Sequence, residues 1–212
     1  MDWKLGTWNC RSLNFQGSTR VLSDLLKSRK FDVVALQEVC WKVSTVRMFR
    51  DGHTIYQSCG NTHELGTAFI VMGEMRKRVI GWWPISPRMW RLRIKGRFFN
   101  ISIINVHSPH LGSTDDDKEE FYAQLEREYD HCPKHDIRIV IGNFNAQVGQ
   151  EEYKPVIGGF SAHQLTNEMG LRLIGFAASK DMVIRSTFFQ HKLLHKYTWR
   201  SPKRQKHEST TF

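Results

Sequence analysis

A chain of 212 residues, 40% hydrophobic and 12% aromatic, carries enough apolar side chains for a sizeable core, and its length fits one domain better than two. It has no run of about 18 apolar residues that would mark a membrane span, and its opening residues lack the apolar stretch of a signal peptide, so a nuclear or cytoplasmic protein that is not secreted is expected. Lys and Arg number 31 against 21 Asp and Glu, a net charge of +10, which points to polyanionic partners because clustered cations displace counterions from a phosphate backbone.

Residues 2–9 place Trp3, Leu5 and Thr7 on alternate positions, which predicts a strand that ends in the polar Asn9. Ser18 stands where it can cap a helix with the stripe Val21, Leu22, Leu25 and Leu26, ending near Lys30. In residues 32–37 the run Val33, Val34, Ala35, Leu36 predicts a strand buried on both faces, which delivers Gln37 and Glu38 at its end. Strands are then expected at residues 54–58, 67–72, 78–83, 90–94 and 98–107, with Gly60, Gly66, Gly73 and Gly96 in the turns between them. Asp115 to Asp117 can cap a helix with the stripe Phe121, Tyr122, Leu125 and Tyr129, and a short buried strand at residues 137–141 runs into Gly142, Asn143, Phe144 and Asn145. A loop over 148–159, a helix from about 167 to 179 and a strand over 182–188 complete the series, before Tyr197, Thr198, Trp199 and a polar tail. Hairpin-paired strands with helices interspersed predict an α+β sandwich rather than a parallel doubly wound sheet.

Cys10, Cys40, Cys59 and Cys132 are scattered singly and read as reduced thiols. Basic residues bunch at Arg76 to Arg78, along Arg88, Arg91, Arg93, Lys95 and Arg97, and at Lys203, Arg204 and Lys206, each of which composition alone reads as a solvated face or tail. Several predicted strands end in polar side chains: Asn9, Glu38, Asn105 with His107, and Asn143 with Asn145. A rim of such oxygens suits a hard divalent ion such as magnesium, although Asn9 alone reads as a turn residue and Asn145 alone as an Asx-turn.

In order, the runs Thr7-Trp8-Asn9, Leu36-Gln37-Glu38, Ile104 to Pro109 and Ile141 to Ala146 resemble the apurinic-endonuclease-like branch of the endonuclease/exonuclease/phosphatase superfamily. The later runs Thr166 to Leu173 and Thr198 to Pro202 are similar to the endonuclease domain of non-LTR retrotransposons of the jockey and bovine-B type. The resemblance implies a four-layer αββα sandwich over residues 1–202, with 203–212 as a basic polar tail. It implies a phosphodiesterase that nicks DNA with Mg2+, or Mn2+ in its place, acting as a monomer beside the reverse transcriptase domain of the same polyprotein. Carried over by position, Glu38 is the metal ligand, Asn9 assists at the metal, Asn145 holds the scissile phosphate, and Thr198, Trp199 and Ser201 touch DNA.

Three departures from the family pattern imply a catalytically impaired or inactive domain. Asn143 stands where the family has the Asp that deprotonates the attacking water. His107 stands where the family has Tyr, and a solvent-facing or merely packed histidine is the plainer reading; His110 and His163 lie in loops without metal-ligand spacing. Residues 203–212 contain no strand with the family's terminal Asp and His, and His207 with Glu208 is the only substitute, so a C-terminally truncated sandwich with an unpaired neighbouring strand edge is expected. The rival expectations are a non-catalytic nucleic-acid-binding protein and an inert translated remnant.

Overall fold

In the computed structural model the described residues are 3–41, 45–49, 52–57, 65–150, 155–190, 192 and the backbone of 210–211. They fall into two compact units, the first comprising Met1–His107 with Arg127–Gly142 and the second Ser108–Glu126 with Asn143–Phe212.

The strands form two sheets, of which the first lies wholly in the first unit and the second has residues 143–146 and 210–211 in the second unit. One contains β1 (Leu5–Asn9), β2 (Val33–Gln37), β3 (Thr45–Met48), β4 (His53–Gln57) and β5 (Thr67–Met72) in the order β1-β2-β5-β4-β3. Helix α1 (Ser18–Arg29) makes the crossover that lets β1 and β2 pair in parallel, while β2-β5, β5-β4 and β4-β3 are antiparallel. The other sheet contains β6 (Val79–Ser86), β7 (Met89–Ile94), β8 (Ile101–His107), β9 (Ile137–Ala146) and β10 (Thr210–Thr211) in the order β10-β9-β8-β7-β6.

The continuous apolar runs of β2 and β5 follow from burial on both faces. Val33, Ala35, Phe69 and Val71 pack with Trp90, Leu92, Ile94 and Ile103 of the second sheet. The alternate residues Val34, Leu36, Ala68 and Ile70 pack with Leu22 and Leu26 of α1. On the outer side of the second sheet lies the last turn of α2 (Asp115–Asp130), where the Glu128 carboxylate is 3.3 Å from Arg91 and the Arg138 guanidinium is 4.3 Å from the Tyr129 ring. Helix, sheet, sheet and helix therefore succeed one another as the αββα sandwich that the sequence implies.

Some local expectations are corrected. Gly17, in the left-handed region at φ 84°, caps α1 without a side-chain bond, and Ser18 instead donates to the Leu13 carbonyl at 2.6 Å. Val21 is exposed rather than part of the apolar stripe. A 3₁₀ turn over Gly73–Arg78 precedes β6, which begins at Val79. At the free edge of its sheet β6 exposes Ile80, Trp82 and Trp83 and carries Pro84.

In the second unit, Thr114 caps the start of α2 by accepting the Asp117 N–H at 3.2 Å, in place of Asp115 to Asp117. Asn167 caps α3 (Glu168–Ser179) by accepting the Gly170 N–H at 2.8 Å. Lys118 of α2 holds both Glu168 oxygens at 3.1 and 3.2 Å, and the Tyr122 and Phe176 rings lie 6.4 Å apart. The strand expected over 182–188 is instead a 3₁₀ turn at Arg185–Phe188, because Thr187 bonds back to the Ile184 carbonyl through both its N–H at 3.1 Å and its hydroxyl at 2.7 Å. The tail does supply a strand: Thr210 and Thr211 pair antiparallel with Ala146 and Asn143, so the edge of β9 expected to be unpaired is paired there.

Candidate functional site

In the first unit, Asn9 ends β1, Glu38 follows β2 and His107 ends β8, so three neighbouring strands deliver polar side chains at one end of the sandwich. Glu38 sits at φ 55°, a left-handed conformation unusual for a residue other than glycine. Backbone bonds fix it from both sides, with Ser12 N–H to the Glu38 carbonyl at 2.7 Å and Val39 N–H to the Gly66 carbonyl at 3.1 Å. The carboxylate Oε1 accepts the Asn9 Nδ2–H at 2.7 Å and lies 3.3 Å from His107 Nε2. Those bonds, from His107 foremost and then Asn9, hold the carboxyl below its ordinary range against the opposing effect of burial. Oε2 is engaged by no described residue.

His107 is buried and engaged with Glu38, rather than solvent-facing or merely packed. With Nε2 donating to the carboxylate, Nδ1 is buried without a hydrogen bond to any described residue, while Arg88 Nη1 donates to the His107 carbonyl at 3.2 Å. Asn105 is not at a rim. It is fully buried between the sheets, where its Oδ1 accepts Gln37 Nε2–H at 2.7 Å and its Nδ2 donates to the carbonyls of Leu36 and Ala68 at 3.0 and 2.9 Å. Gln37 in turn reaches Thr7 Oγ1 at 3.1 Å. Sequence reading missed this amide ladder, whose only signal is polar residues inside otherwise apolar strands.

A hard divalent cation takes oxygen ligands. The Glu38 side chain, 30% exposed and held ionised, fits as one of them through Oε2. Asn9 Oδ1 already accepts the Arg11 N–H at 3.1 Å and keeps one lone pair. Among the described residues no three His, Cys, Asp or Glu side chains cluster to hold a metal ion, so Glu38 would hold a divalent cation as a single carboxylate, with the remaining oxygens from water and substrate. Cys10 and Cys40, on either side of Glu38 in the fold's loops, are free thiols; burial, above all, pushes Cys10 up to about 12, so it stays protonated and inert.

In the second unit, Asn143 is buried and its Oδ1 accepts the Asn145 N–H at 3.0 Å, an Asx-turn that sets Asn145 at φ 47°. Asn145 Nδ2 donates to the Ser108 carbonyl at 2.8 Å, and the Ser108 N–H donates to the Asn143 carbonyl at 2.9 Å. One amide hydrogen of Asn145 is left to meet a ligand. The run Thr166 to Gly170 braces the segment that follows: Asn167 Oδ1 accepts the Gln147 N–H at 3.1 Å and Thr166 Oγ1 the Gly149 N–H at 2.9 Å. A Cβ on Gly170 would lie 2.0 Å from the Gln147 carbonyl oxygen, which explains the glycine. His110 is exposed, and His163 is half-buried with its pKa lowered by that burial. Thr198, Trp199, Ser201, His207 and Glu208 lie outside the described residues.

The model of the endonuclease/exonuclease/phosphatase family matches residues 6–202. Over 203 residues the chain is 32% identical to craniofacial development protein 2 of Bos taurus, covering 95% of this chain and 34% of that protein. It is equally similar to the protein of that name from Tragulus javanicus, at 32% identity with 95% and 35% covered, so the chain spans about a third of the length of these relatives. Among solved structures it is similar to the endonuclease domain of TRAS1, a telomere-specific non-LTR retrotransposon, with a TM-score of 0.56 and 16% identity over 84% of this chain and 70% of that one. The AP endonuclease from Archaeoglobus fulgidus gives a TM-score of 0.57 and 20% identity over 84% and 71%. The AP endonuclease LMAP from Leishmania major gives 0.60 and 14% over 83% and 66%. These likenesses are of fold. With a family match spanning nearly all of its length and curated relatives at 32% identity, this chain belongs to the endonuclease/exonuclease/phosphatase family.

Proposed function

We propose that the chain is a DNA endonuclease-like domain of retrotransposon descent in which phosphodiester hydrolysis is severely impaired. Asn143 carries the reading. It occupies the position of the family's proton acceptor, it is buried, and its one oxygen is committed to the Asn145 N–H. An amide has the shape of a carboxylate without its basicity, and loss of a general base costs about 10²–10⁴ in rate. Glu38 keeps the cation-binding role with Asn9 in support, Asn145 offers an amide hydrogen to a phosphate oxygen, and His107 stands in for Tyr by fixing Glu38. A bound Mg2+ or Mn2+ supplies positive charge to the phosphoryl oxygens. DNA as the substrate is supported by the net charge of +10 and by the likeness to the TRAS1 domain.

The test is nicking of a supercoiled plasmid in magnesium. The chain nicks barely, Asn143→Asp raises the rate by about 10²–10⁴, and adding Glu38→Ala to that variant removes the gain. Robust nicking by the unmodified chain, lost with Glu38→Ala and not increased by Asn143→Asp, overturns the impaired reading. A second reading, nucleic-acid binding without hydrolysis, is favoured by the charge alone, since phosphate neutralisation outlasts loss of a base.

A further inference from the structure

At the opposite end of β8 from His107, about 20 Å away along a strand of this length, the turn between β7 and β8 exposes two consecutive aromatic residues. Phe98 is 82% exposed and Phe99 60%. They overhang a cleft of about 620 Å³ whose other walls include Trp3, Ile137 and the two cations Arg78 and Arg97. The turn is held firmly. Lys95 N–H bonds the Arg78 carbonyl at 2.7 Å and Ile137 N–H the Asn100 carbonyl at 2.8 Å. A Cβ on Gly96 would lie 1.8 Å from the Phe99 carbonyl oxygen, so only glycine admits this tight chain path. The Arg97 guanidinium is centred 5.2 Å from the Phe98 ring, an arrangement that leaves the greater part of that ring to solvent.

The charge around the cleft is one-sided. Among the described residues that line it, the only charged ones are Arg78 and Arg97. Nearby acidic groups are already committed: Glu74 to Lys77 at 2.8 Å, Asp136 to Arg93 at 2.7 Å, and Asp32 to the Lys4 N–H at 2.7 Å. Large exposed aromatics are costly to leave in water, and a pair of them beside the cations Arg78 and Arg97 in a concave wall matches a ligand made of flat rings on an anionic backbone. We propose that this cleft is a binding surface for single-stranded nucleic acid, with unpaired bases stacking on Phe98 and Phe99 and phosphates meeting Arg78 and Arg97. Duplex DNA hides its base faces and does not fit; an anionic lipid surface satisfies the charges but leaves the concave wall without a partner. The surface is independent of the hydrolysis reading and is distant from Glu38 within the same unit.

Fluorescence anisotropy tests it on the full chain in EDTA, so that hydrolysis plays no part. The probe is a labelled oligothymidylate longer than the roughly 4–16 nucleotides that one aromatic-lined site occupies, titrated at about 50 and about 200 mM salt. The double variant Phe98→Ala with Phe99→Ala is expected to weaken binding about tenfold or more with the salt slope unchanged. Arg78→Gln with Arg97→Gln is expected to lower the slope by about 1.4, two phosphate contacts on a single strand. Thermal melts matching the parent show that both variants fold. Undiminished oligothymidylate binding by the double Phe variant overturns the proposal. So does Phe98- and Phe99-dependent binding to phosphatidylserine vesicles with no dependence on these residues for the oligonucleotide, which would make the cleft a lipid site.

Discussion

Asp136 shows how a single side chain can be anchored without any part in chemistry. Only 2% of its side chain is exposed, and it accepts Arg93 Nε–H and Nη2–H at 2.7 and 3.0 Å and the Ser102 hydroxyl at 2.7 Å. The Arg93 bonds, foremost, hold its carboxyl below the ordinary range, with Ser102 adding to them against burial. A depressed folded-state pKa contributes stability that is fully present above the unfolded value of about 3.9 and is lost as pH falls through the folded value. Urea melts from pH 6 downward should therefore show an acid limb that Asp136→Asn flattens. At neutral pH that variant is expected to lose up to about 3 kcal/mol, because Arg93, itself partly exposed, is left without its partner. Other single residues were only half legible. Position and type singled out Glu38, His107 and Asn143, but not that His107 bonds Glu38, nor that Asn105 engages its oxygen and both amide hydrogens with Gln37, Leu36 and Ala68 inside the core. Such partners are 37 to 69 residues apart in the chain, beyond the reach of any local pattern.

Among the elements, those with a strong apolar signature were readable and those shaped by local polar bonds were not. β2 is buried along its whole length and β5 along all but its last residue, Met72, and both stood out as apolar runs. β3 is a four-residue edge strand with three exposed positions, so it carries no alternation to detect. The 3₁₀ turn at Arg185–Phe188 hid behind apolar residues that predict a strand until the Thr187 hydroxyl is considered. Two glycines within elements make opposite predictions. Gly142 in β9, at φ 143°, has Val106 O only 2.0 Å from where a Cβ would be, so Gly142→Ala should cost several times the roughly 1 kcal/mol of an ordinary backbone misfit. Gly175 is an exposed position of α3 with nothing within 4 Å of its would-be Cβ, so Gly175→Ala should stabilise by about 0.5–1 kcal/mol. Denaturant midpoints of the two variants, at unchanged m-value, check both signs.

At the scale of the molecule, composition correctly announced a chain able to form a core, and the ordered motifs announced the family, because the first four of them sit where β1, β2, β8 and β9 end. Division into two compact units was not legible, since α2 and β9 each contribute residues to both and no composition shift marks the change. What governs encounters between whole molecules is the flank at β6. Among the described residues no strand pairs with its outer edge, and its own Ile80, Trp82 and Trp83 make it adhesive. Pro84 has no N–H to offer an incoming strand, so a second copy arriving there meets an interrupted ladder and cannot zip along it. Pro84→Thr restores the missing donor, and light scattering should then reveal self-association that grows with concentration while the melting temperature of the isolated chain barely moves. One imino acid thus keeps a sticky margin from becoming the seed of a fibre.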